Sequence, residues 1–208
     1  MKRSGRPRRD AIVALCPKGA PGNIVVDVGA DHGRIAQRIG AIATERMPHR
    51  RSGVTVRWVI ADGLRPFRHV DGVVIAGMGA RTIGRILSEG PTPSWAVLHA
   101  QDDPITLRHW LAAHGYRIEA EGLAEEAGRF AEICRVRPGE ETSTGRWLSF
   151  GPRLLRDGAP HLQAHLEELR TYYTDLAQQT QGHEVHQTYA GHAAFLDARL
   201  AELVEPDG

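Results

Sequence analysis

The chain has 208 residues, of which 41% are hydrophobic and 25% are charged, so it can bury one good-sized core and a small appendage. Its net charge of +1 hides an asymmetry: residues 1–110 hold 17 Lys and Arg against 9 Asp and Glu, whereas residues 160–208 hold 2 against 8, which would direct a polyanion to the first half. The sequence has no run of 18 apolar residues and no signal-peptide core, which argues against a membrane or secreted protein. Its cysteines have no CxxC spacing, which argues against a structural zinc site. We therefore expect a cytoplasmic protein without bound metal.

The first part of the chain alternates predicted strands with predicted helices. The strands are apolar runs rich in β-branched residues, at 24–28, 41–46, 54–64, 70–79 and 95–101. The helices are predicted at 33–39, at 82–90 and from Asp103-Pro104, an N-cap followed by proline. Segments on either side of Ala127-Gly128 are predicted as an antiparallel pair. This alternation indicates an α/β fold with a doubly wound, Rossmann-like sheet that binds ligands at the carboxyl ends of its parallel strands.

The C-terminal part follows a helical period instead. Apolar and aromatic residues recur in steps of three and four over 162–176 and over 185–203, with the polar turn QQTQGHE between them. We predict an antiparallel helical hairpin whose apolar stripe packs its two helices together. The predicted domains are therefore 1–157, which opens with a basic N-terminal arm over 1–10, and the hairpin of 158–208.

The turn after the first predicted strand contains an unexpected carboxylate. A dinucleotide-binding turn needs G-x-G-x-x-G, because bare amides must meet the pyrophosphate. Here the run is DVGADHG, from Asp27 to Gly33, and Asp31 stands where the second glycine would be. A carboxylate there repels a phosphate and favours a cation, such as the sulfonium of S-adenosyl-L-methionine. We predict that Asp27 and Asp31 serve such a cofactor; the alternative is that Asp31 only caps the next helix.

Three further turns suited to a ligand follow at the ends of the next strands. Glu45 can hydrogen-bond the hydroxyls of a ribose, unless it forms a surface ion pair with Arg46. Asp62-Gly63 can accept from the amine of an adenine, unless it is a simple turn. Gly77-Met78 ends the fourth strand, where glycine lets backbone approach a ligand closely. All four turns fall on one edge of the predicted sheet.

Arginine is concentrated between Gly33 and Trp58, where six arginines stand against one acid. Because planar guanidinium groups match phosphate oxygens, this run favours contact with the phosphates of a nucleic acid over a merely solvated surface. The predicted RNA-contacting residues are Arg34, Arg38, Arg50 and Arg51.

Several motifs together resemble the bacterial tRNA (adenine(22)-N(1))-methyltransferase family. They are VVDVGADHGRIAQRI, IATE, ADGL, VVIAGMGARTIGRIL, LRHWLAAHGYRIEAEGLAEEAGRFAEI and LSFGPRLL, within a stretch from about Arg8 to Leu155. The most specific marks are the turn with Asp31-His32 and the strand end AGMG, and the C-terminal hairpin also matches the layout of the family. The resemblance implies a class I methyltransferase fold, S-adenosyl-L-methionine as cofactor, tRNA as partner, and methylation of N1 of a D-arm adenine.

Position by position, the resemblance also implies roles for the strand-end turns. Gly29 and Asp31-His32 would belong to the cofactor turn, and Glu45 would bind the ribose. Asp62-Gly63 would flank the cofactor adenine, and Gly77-Met78 would lie beside the methyl group.

The chain departs from the family pattern in three places. The segment 46–53 has eight residues where the family has a helix, although a crossover with a helix needs about 10–12. Ala80 replaces the last glycine of GMGG, and His99-Ala100-Gln101 replaces Gln-Pro-Asn. These departures leave two alternatives open. One is a diverged protein that binds the cofactor but is inactive or acts on another RNA or small molecule. The other is a non-catalytic nucleic-acid-binding module.

The chemistry implied by the resemblance needs no general base, since neutral adenine N1 is already a nucleophile. The enzyme must extrude the base, hold N1 opposite the sulfur and stabilise the positive charge that moves onto the adenine. We predict Asp31 and Gln101 as the catalytic residues, in a monomer or weak homodimer.

Overall fold

The computed structural model describes residues 6–19, 23–47 and 54–204. The chain divides into two compact units, Met1–Leu154 and Leu155–Gly208. The first contains a mixed sheet with helices, and the second contains two long helices.

One seven-stranded sheet organises the first unit. Its strands are β1 (Val25–Val28), β2 (Ile42–Glu45), β3 (Arg57–Ile60), β4 (Gly72–Met78), β5 (Trp95–Ala100), β6 (Tyr116–Glu126) and β7 (Arg129–Pro138). Their order is β3-β2-β1-β4-β5-β7-β6, with β1 to β5 parallel and β7 antiparallel to both of its neighbours. The predicted α/β, Rossmann-like fold class is confirmed, and its parallel strands end on one edge.

Helices connect and cover the strands. They are α1 (Arg6–Leu15), α2 (Arg34–Ile39), α3 (Ala80–Glu89), α4 (Pro104–Ala113), α5 (Gly145–Ser149) and α6 (Pro152–Asp157). The Asp103 carboxylate accepts from the Thr106 amide at 2.9 Å and caps α4, as the Asp-Pro pair predicts. The turn between β6 and β7 is Ala127-Gly128, with φ of 53° and 72°, which suits a tight hairpin.

The central strands are buried on both faces, as their valine and isoleucine content predicts. Val73 and Ile75 of β4 point to one face, where Ile83 of α3 packs against them. Val74 points to the other face and packs in a cluster with Ile12 of α1. The functional edge therefore rests on a rigid core.

Helix α1 begins within the predicted basic arm of residues 1–10, since from Arg6 onward this segment is helical. The apolar residues that follow the basic ones hold the helix in place, because Ile12 is 1% exposed and packs on the sheet. Asp10 forms an ion pair with Arg38 of α2, and Arg135 of β7 donates to the Leu15 carbonyl at 3.1 Å.

A buried ionic cluster ties α4 to the closing hairpin. Arg108 is 2% exposed and pairs with Glu121 of β6 at 2.7 Å and with Glu132 of β7 at 2.5 Å. It also donates to the Ser149 carbonyl at 3.0 Å, while Glu121 accepts from the Arg153 amide at 2.8 Å. Burial alone would lower the pKa of Arg108, but the two carboxylates raise it, so the guanidinium stays charged.

The second unit, taken by itself, contains α7 (Leu162–Gln179) and α8 (His186–Val204). Tyr173 of α7 stacks near Tyr189 and His192 of α8, with ring centroids 6.1 and 4.8 Å away, and Arg170 lies 3.5 Å from Asp197. The later residue of α7, Tyr173, thus meets the start of α8, while the earlier one, Arg170, meets a residue further along α8, which confirms the predicted antiparallel hairpin. In the part of the chain that the structure describes, no helix has the length and apolar character needed to cross a membrane.

Candidate active site

The turn after β1 is held in an unusual backbone conformation. Gly29, Asp31 and Gly33 have φ of 68°, 48° and 65°, all left-handed. A Cβ on Gly29 would lie 2.2 Å from the Met78 Cε, the flexible end of that side chain, so the left-handed backbone is the main reason for glycine here. A left-handed conformation costs a residue with a side chain about 1–2 kcal/mol, and aspartate tolerates it better than most. The turn therefore stores some strain at Asp31.

Asp31 is joined to the end of β2 through its backbone. Its amide donates to the Glu45 Oε1 at 2.6 Å, while its side chain is 67% exposed and lies 3.6 Å from the His32 ring. The N-cap of α2 is Gly33, and the side chain that bonds an amide of its first turn is Asp27, through Ala36, rather than Asp31. The capping alternative for Asp31 is therefore wrong, and its carboxylate is available at the surface of the turn.

Asp27 lies beneath the same turn. It is 3% exposed, and its carboxylate accepts from the Ala36 amide of α2 at 3.0 Å. Burial raises its pKa to about 7, against the lowering effect of that hydrogen bond, and the charge of Glu45 adds to the rise. Asp27 thus changes its charge near neutral pH.

Asp62, at the end of β3, is surrounded by arginines. Its carboxylate lies 3.3 Å from Arg85, 3.4 Å from Arg65 and 3.8 Å from Arg46. Partial desolvation alone would raise its pKa, but the hydrogen bond from Arg85 and the three positive charges bring it below the ordinary value. Asp62 is therefore ionised. Gly63 follows with φ of 68° and places its backbone against Ile86.

The ends of β4 and β5 meet as the sequence predicts. Gly77 has φ of 78°, and a Cβ built on it would lie 4.0 Å from the Gln101 Oε1. The backbone amide of Gln101 donates to the Met78 carbonyl at 3.0 Å, which places Gln101 beside Gly77 and Met78.

Asp102 is a residue of this edge that the sequence analysis missed. Its carboxylate accepts from the Ala80 amide at 2.8 Å, at the start of α3, and from the Asp103 amide at 2.7 Å. The bond from Ala80 holds the pKa of Asp102 below its usual range. The available signal was an acid directly after the predicted fifth strand.

A cavity of about 270 Å³ lies between the β1 turn, the end of β4 and α1. Predicted residues that line it are Asp27, Gly29, Asp31, His32, Arg34 and Gly77. Arg8, Arg9 and Ile12 of α1 line it as well, although the sequence analysis gave them no role.

Of the predicted RNA-contacting arginines, Arg34 lines the cavity and Arg38 pairs with Asp10. Arg50 and Arg51 lie outside the described residues. Within the described ranges, no group of three His, Cys, Asp or Glu side chains is placed to hold a metal ion.

The lining of the cavity has the chemistry that the methionyl part of S-adenosyl-L-methionine would need. Its carboxylates, Asp27 and Asp31, would suit a sulfonium or an ammonium group, and its arginines would suit a carboxylate. Gly29 has no side chain, and the Met78 methyl group occupies the space where its Cβ would lie.

The strand order and the acidic turn at the edge define the class of protein: a Rossmann-like fold of the class I methyltransferases.

Comparison with known families then identifies the group within that class. Residues 41–202 match the model of the tRNA (adenine(22)-N(1))-methyltransferase family, TrmK. The chain belongs to this family, which confirms the resemblance seen in its motifs.

Solved structures agree with this membership. Sp1610 of Streptococcus pneumoniae, described as a candidate tRNA (m1A22) methyltransferase, is 27% identical with a TM-score of 0.79, over 93% of this chain and 98% of that one. Its complex with S-adenosyl-L-methionine is 26% identical with a TM-score of 0.76, over the same shares. TrmK of B. subtilis is 21% identical with a TM-score of 0.67, over 97% of each chain, and supports the fold alone. No curated protein matches the sequence significantly.

Proposed function

We propose that this chain transfers a methyl group from S-adenosyl-L-methionine to N1 of adenine 22 in the D-arm of tRNA. The observation that supports it most is the acidic left-handed turn at Asp31, which faces a cavity of fitting size in a member of the tRNA (adenine(22)-N(1))-methyltransferase family. The S. pneumoniae relative, crystallised with S-adenosyl-L-methionine, supports the choice of cofactor.

The protein contributes binding and electrostatics rather than acid–base chemistry. The bound cofactor supplies an electrophilic methyl group on a sulfonium. Gln101, beside Gly77, hydrogen-bonds the edge of the extruded adenine and orients its N1. Asp31 stabilises the positive charge that develops on the adenine, because the left-handed turn and the bond from its backbone amide to Glu45 hold its backbone beside the cavity.

The remaining residues of the edge hold the cofactor. Asp27, Gly29 and His32 surround its methionyl end, and Glu45 binds the ribose hydroxyls. The adenine lies between Asp62 and Gly63, and the methyl group lies near Gly77 and Met78. The geometry that supports these roles is the shared edge on which β1 to β4 end.

We assign tRNA phosphate contacts to Arg34, Arg38, Arg50 and Arg51, and methyl transfer to the domain of residues 1–157. The hairpin of 158–208 acts as a scaffold, since its acidic balance does not suit a polyanion. A monomer or weak homodimer in the cytoplasm, where tRNA is found, is part of the same proposal.

The test combines cofactor binding with product identification. Incubation with S-adenosyl-L-methionine and unmodified tRNA, followed by mass spectrometry of the nucleosides, should yield 1-methyladenosine, and tRNA with adenine 22 replaced by guanine should yield none. Calorimetry with the cofactor should show binding. Cofactor binding without 1-methyladenosine would favour the diverged, inactive alternative, and no cofactor binding at millimolar concentration would contradict the proposal.

A further inference from the structure

The end of β4 carries one residue more than the strand beside it. Between Ala76 and Met78 the pairing with β5 shifts in register, which leaves Gly77 as an extra residue that bulges from the ladder. The φ of Gly77 is 78°, and a Cβ built on it would lie 4.0 Å from the Gln101 Oε1. The bulge therefore brings backbone close to the side chain that we assign to the target adenine.

Beyond the bulge, a backbone bond and a side-chain bond join the turn after β4 to the end of β5. The Gln101 amide donates to the Met78 carbonyl at 3.0 Å. The Asp102 Oδ1 accepts from the Ala80 amide at 2.8 Å, across 22 positions of the sequence. The Asp103 amide donates to the same oxygen at 2.7 Å and fixes the Asp102 side chain against the backbone that follows it. The first bond needs no side chain, whereas the second depends on Asp102.

Asp102 and Asp103 are consecutive acids with different roles. Asp103 caps its own helix, α4, by accepting from the Thr106 amide. The N-cap of α3 is Gly79, which has no side chain, and the first amide of α3, that of Ala80, meets Asp102 from the neighbouring strand end. A Cβ on Gly79 would lie 2.6 Å from the Asp102 Oδ2, so the carboxylate packs directly on this glycine. Asp102 is thus a contact between two strand ends rather than a local cap.

We propose that Asp102 is a positioning residue for methyl transfer, because its carboxylate fastens the turn after β4 to the end of β5 and so holds Gln101 and Gly77 in place for the extruded adenine. The inference rests on the proposed function and adds a residue that acts through Gln101 without touching the substrate. A carboxylate bound to an amide at a helix N-terminus is held more strongly than a neutral partner, which makes the contact effective at an exposed strand end.

The first test separates the rate of transfer from binding. Asp102→Ala should lower kcat on unmodified tRNA by roughly 10- to 100-fold, since a misplacement of about 1 Å costs up to about 100-fold. The KM for tRNA and the calorimetric affinity for S-adenosyl-L-methionine should stay within about twofold. Asp102→Asn keeps an oxygen that can accept from the Ala80 amide and should recover most of kcat.

Asp103→Ala is the matched control, because it removes an aspartate cap at the next position. Both alanine variants should lower the thermal midpoint by about 2–4 °C, the value of one cap in a chain of this size. Only Asp102→Ala should lower kcat. In the protein without cofactor, amide hydrogen exchange should become faster around Ala80 in Asp102→Ala and around Thr106 in Asp103→Ala.

Gly79→Ala is an independent probe of the same contact. Its Cβ would meet the Asp102 carboxylate at 2.6 Å and displace it without removing its charge. This change should lower kcat in the native protein but much less in the Asp102→Ala variant, since two changes that break one contact are not additive.

The outcomes are distinguishable. Native kcat in Asp102→Ala, an equal loss of kcat in Asp103→Ala, or equal losses from Gly79→Ala in both proteins would overturn the positioning role while leaving the proposed function intact. Loss of kcat in Asp102→Asn with slow exchange retained around Ala80 would also overturn it, because the effect would then come from charge. If the native protein forms no 1-methyladenosine, the proposed function itself fails.

Discussion

Asp31 combines a left-handed backbone, an exposed carboxylate and an amide bonded to Glu45. Strain held at a turn beside a cavity is expected at a functional site, because the surrounding structure must compensate for it. The hydrogen bond from the Asp31 amide to Glu45 is one such compensation. It also couples the proposed ribose ligand to the residue proposed to face the methyl donor.

Replacement of Asp31 separates catalysis from stability. Asp31→Asn keeps a residue that tolerates φ of 48° but removes the charge, so we expect stability within about 0.5 kcal/mol and a rate lower by roughly 10²- to 10³-fold. Asp31→Ala should lose a similar rate and about 1 kcal/mol of stability. Transfer of tritiated methyl groups to whole tRNA measures the rate, and urea unfolding measures the stability. Native turnover in either variant would reject the catalytic role.

Asp27 makes stability depend on pH in a defined direction. Its pKa is about 7 in the folded protein and 3.8 ordinarily, so between these values the folded state holds more protons than the unfolded one. Protonated Asp27 therefore favours the folded state over the unfolded state. This contribution to stability is complete below the ordinary pKa of 3.8 and is lost as the pH rises through 7. The free energy of unfolding should therefore fall by on the order of 2 kcal/mol between pH 5 and pH 8 relative to Asp27→Asn. Parallel profiles for the two proteins would show that Asp27 titrates normally.

Among the elements, α4 and the β6–β7 hairpin depend on one buried cation. Arg108→Met would leave Glu121 and Glu132 buried without their partner, and removal of one member of a buried pair costs about 3–5 kcal/mol. Urea unfolding of this variant should show that loss. Arg137→Ala, which removes a more exposed ion pair of the same hairpin with Glu119, should lose less than about 1 kcal/mol. If the two changes lowered the free energy of unfolding equally, the buried cluster would contribute no more to stability than the exposed ion pair.

The strand ends could be predicted from the sequence because each depends on local pattern. Apolar runs locate the strands, and the acid or glycine that ends each run then falls on a common edge. Glu45 and the pair of Gly77 and Gln101 lie where this logic places them. The limits of β3 were less predictable: the expected strand of 54–64 is only Arg57–Ile60, since the turn around Asp62 begins earlier than its apolar pattern indicates.

The cavity wall formed by α1 could not be predicted in the same way. Arg8 and Glu126 are far apart in sequence, and their pairing requires knowledge of how α1 packs on the sheet. Two of the arginines around Asp62, Arg46 and Arg85, likewise come from separate segments. Contacts of this kind depend on tertiary register, which residue pattern alone does not encode.

At the scale of the whole molecule, the charge asymmetry predicts which part meets tRNA. Replacing Arg50 and Arg51 together should weaken tRNA binding and reduce the slope of log affinity against log salt by about 1 for each residue. Replacing Arg170 and Arg199 of the acidic C-terminal unit should leave the slope unchanged. Filter binding over a range of salt concentrations measures both. An unchanged slope in the first variant, or a reduced one in the second, would contradict the assignment.

The most direct measurement is a crystal structure of this protein with S-adenosyl-L-homocysteine, the cofactor after loss of its methyl group. We expect its amino-acid tail in the cavity between the β1 turn and α1, and its ribose on Glu45. A tail outside the cavity, or an Asp31 side chain directed into solvent away from the ligand, would contradict the claim that a negative charge in this turn makes it a site for a cationic methyl donor.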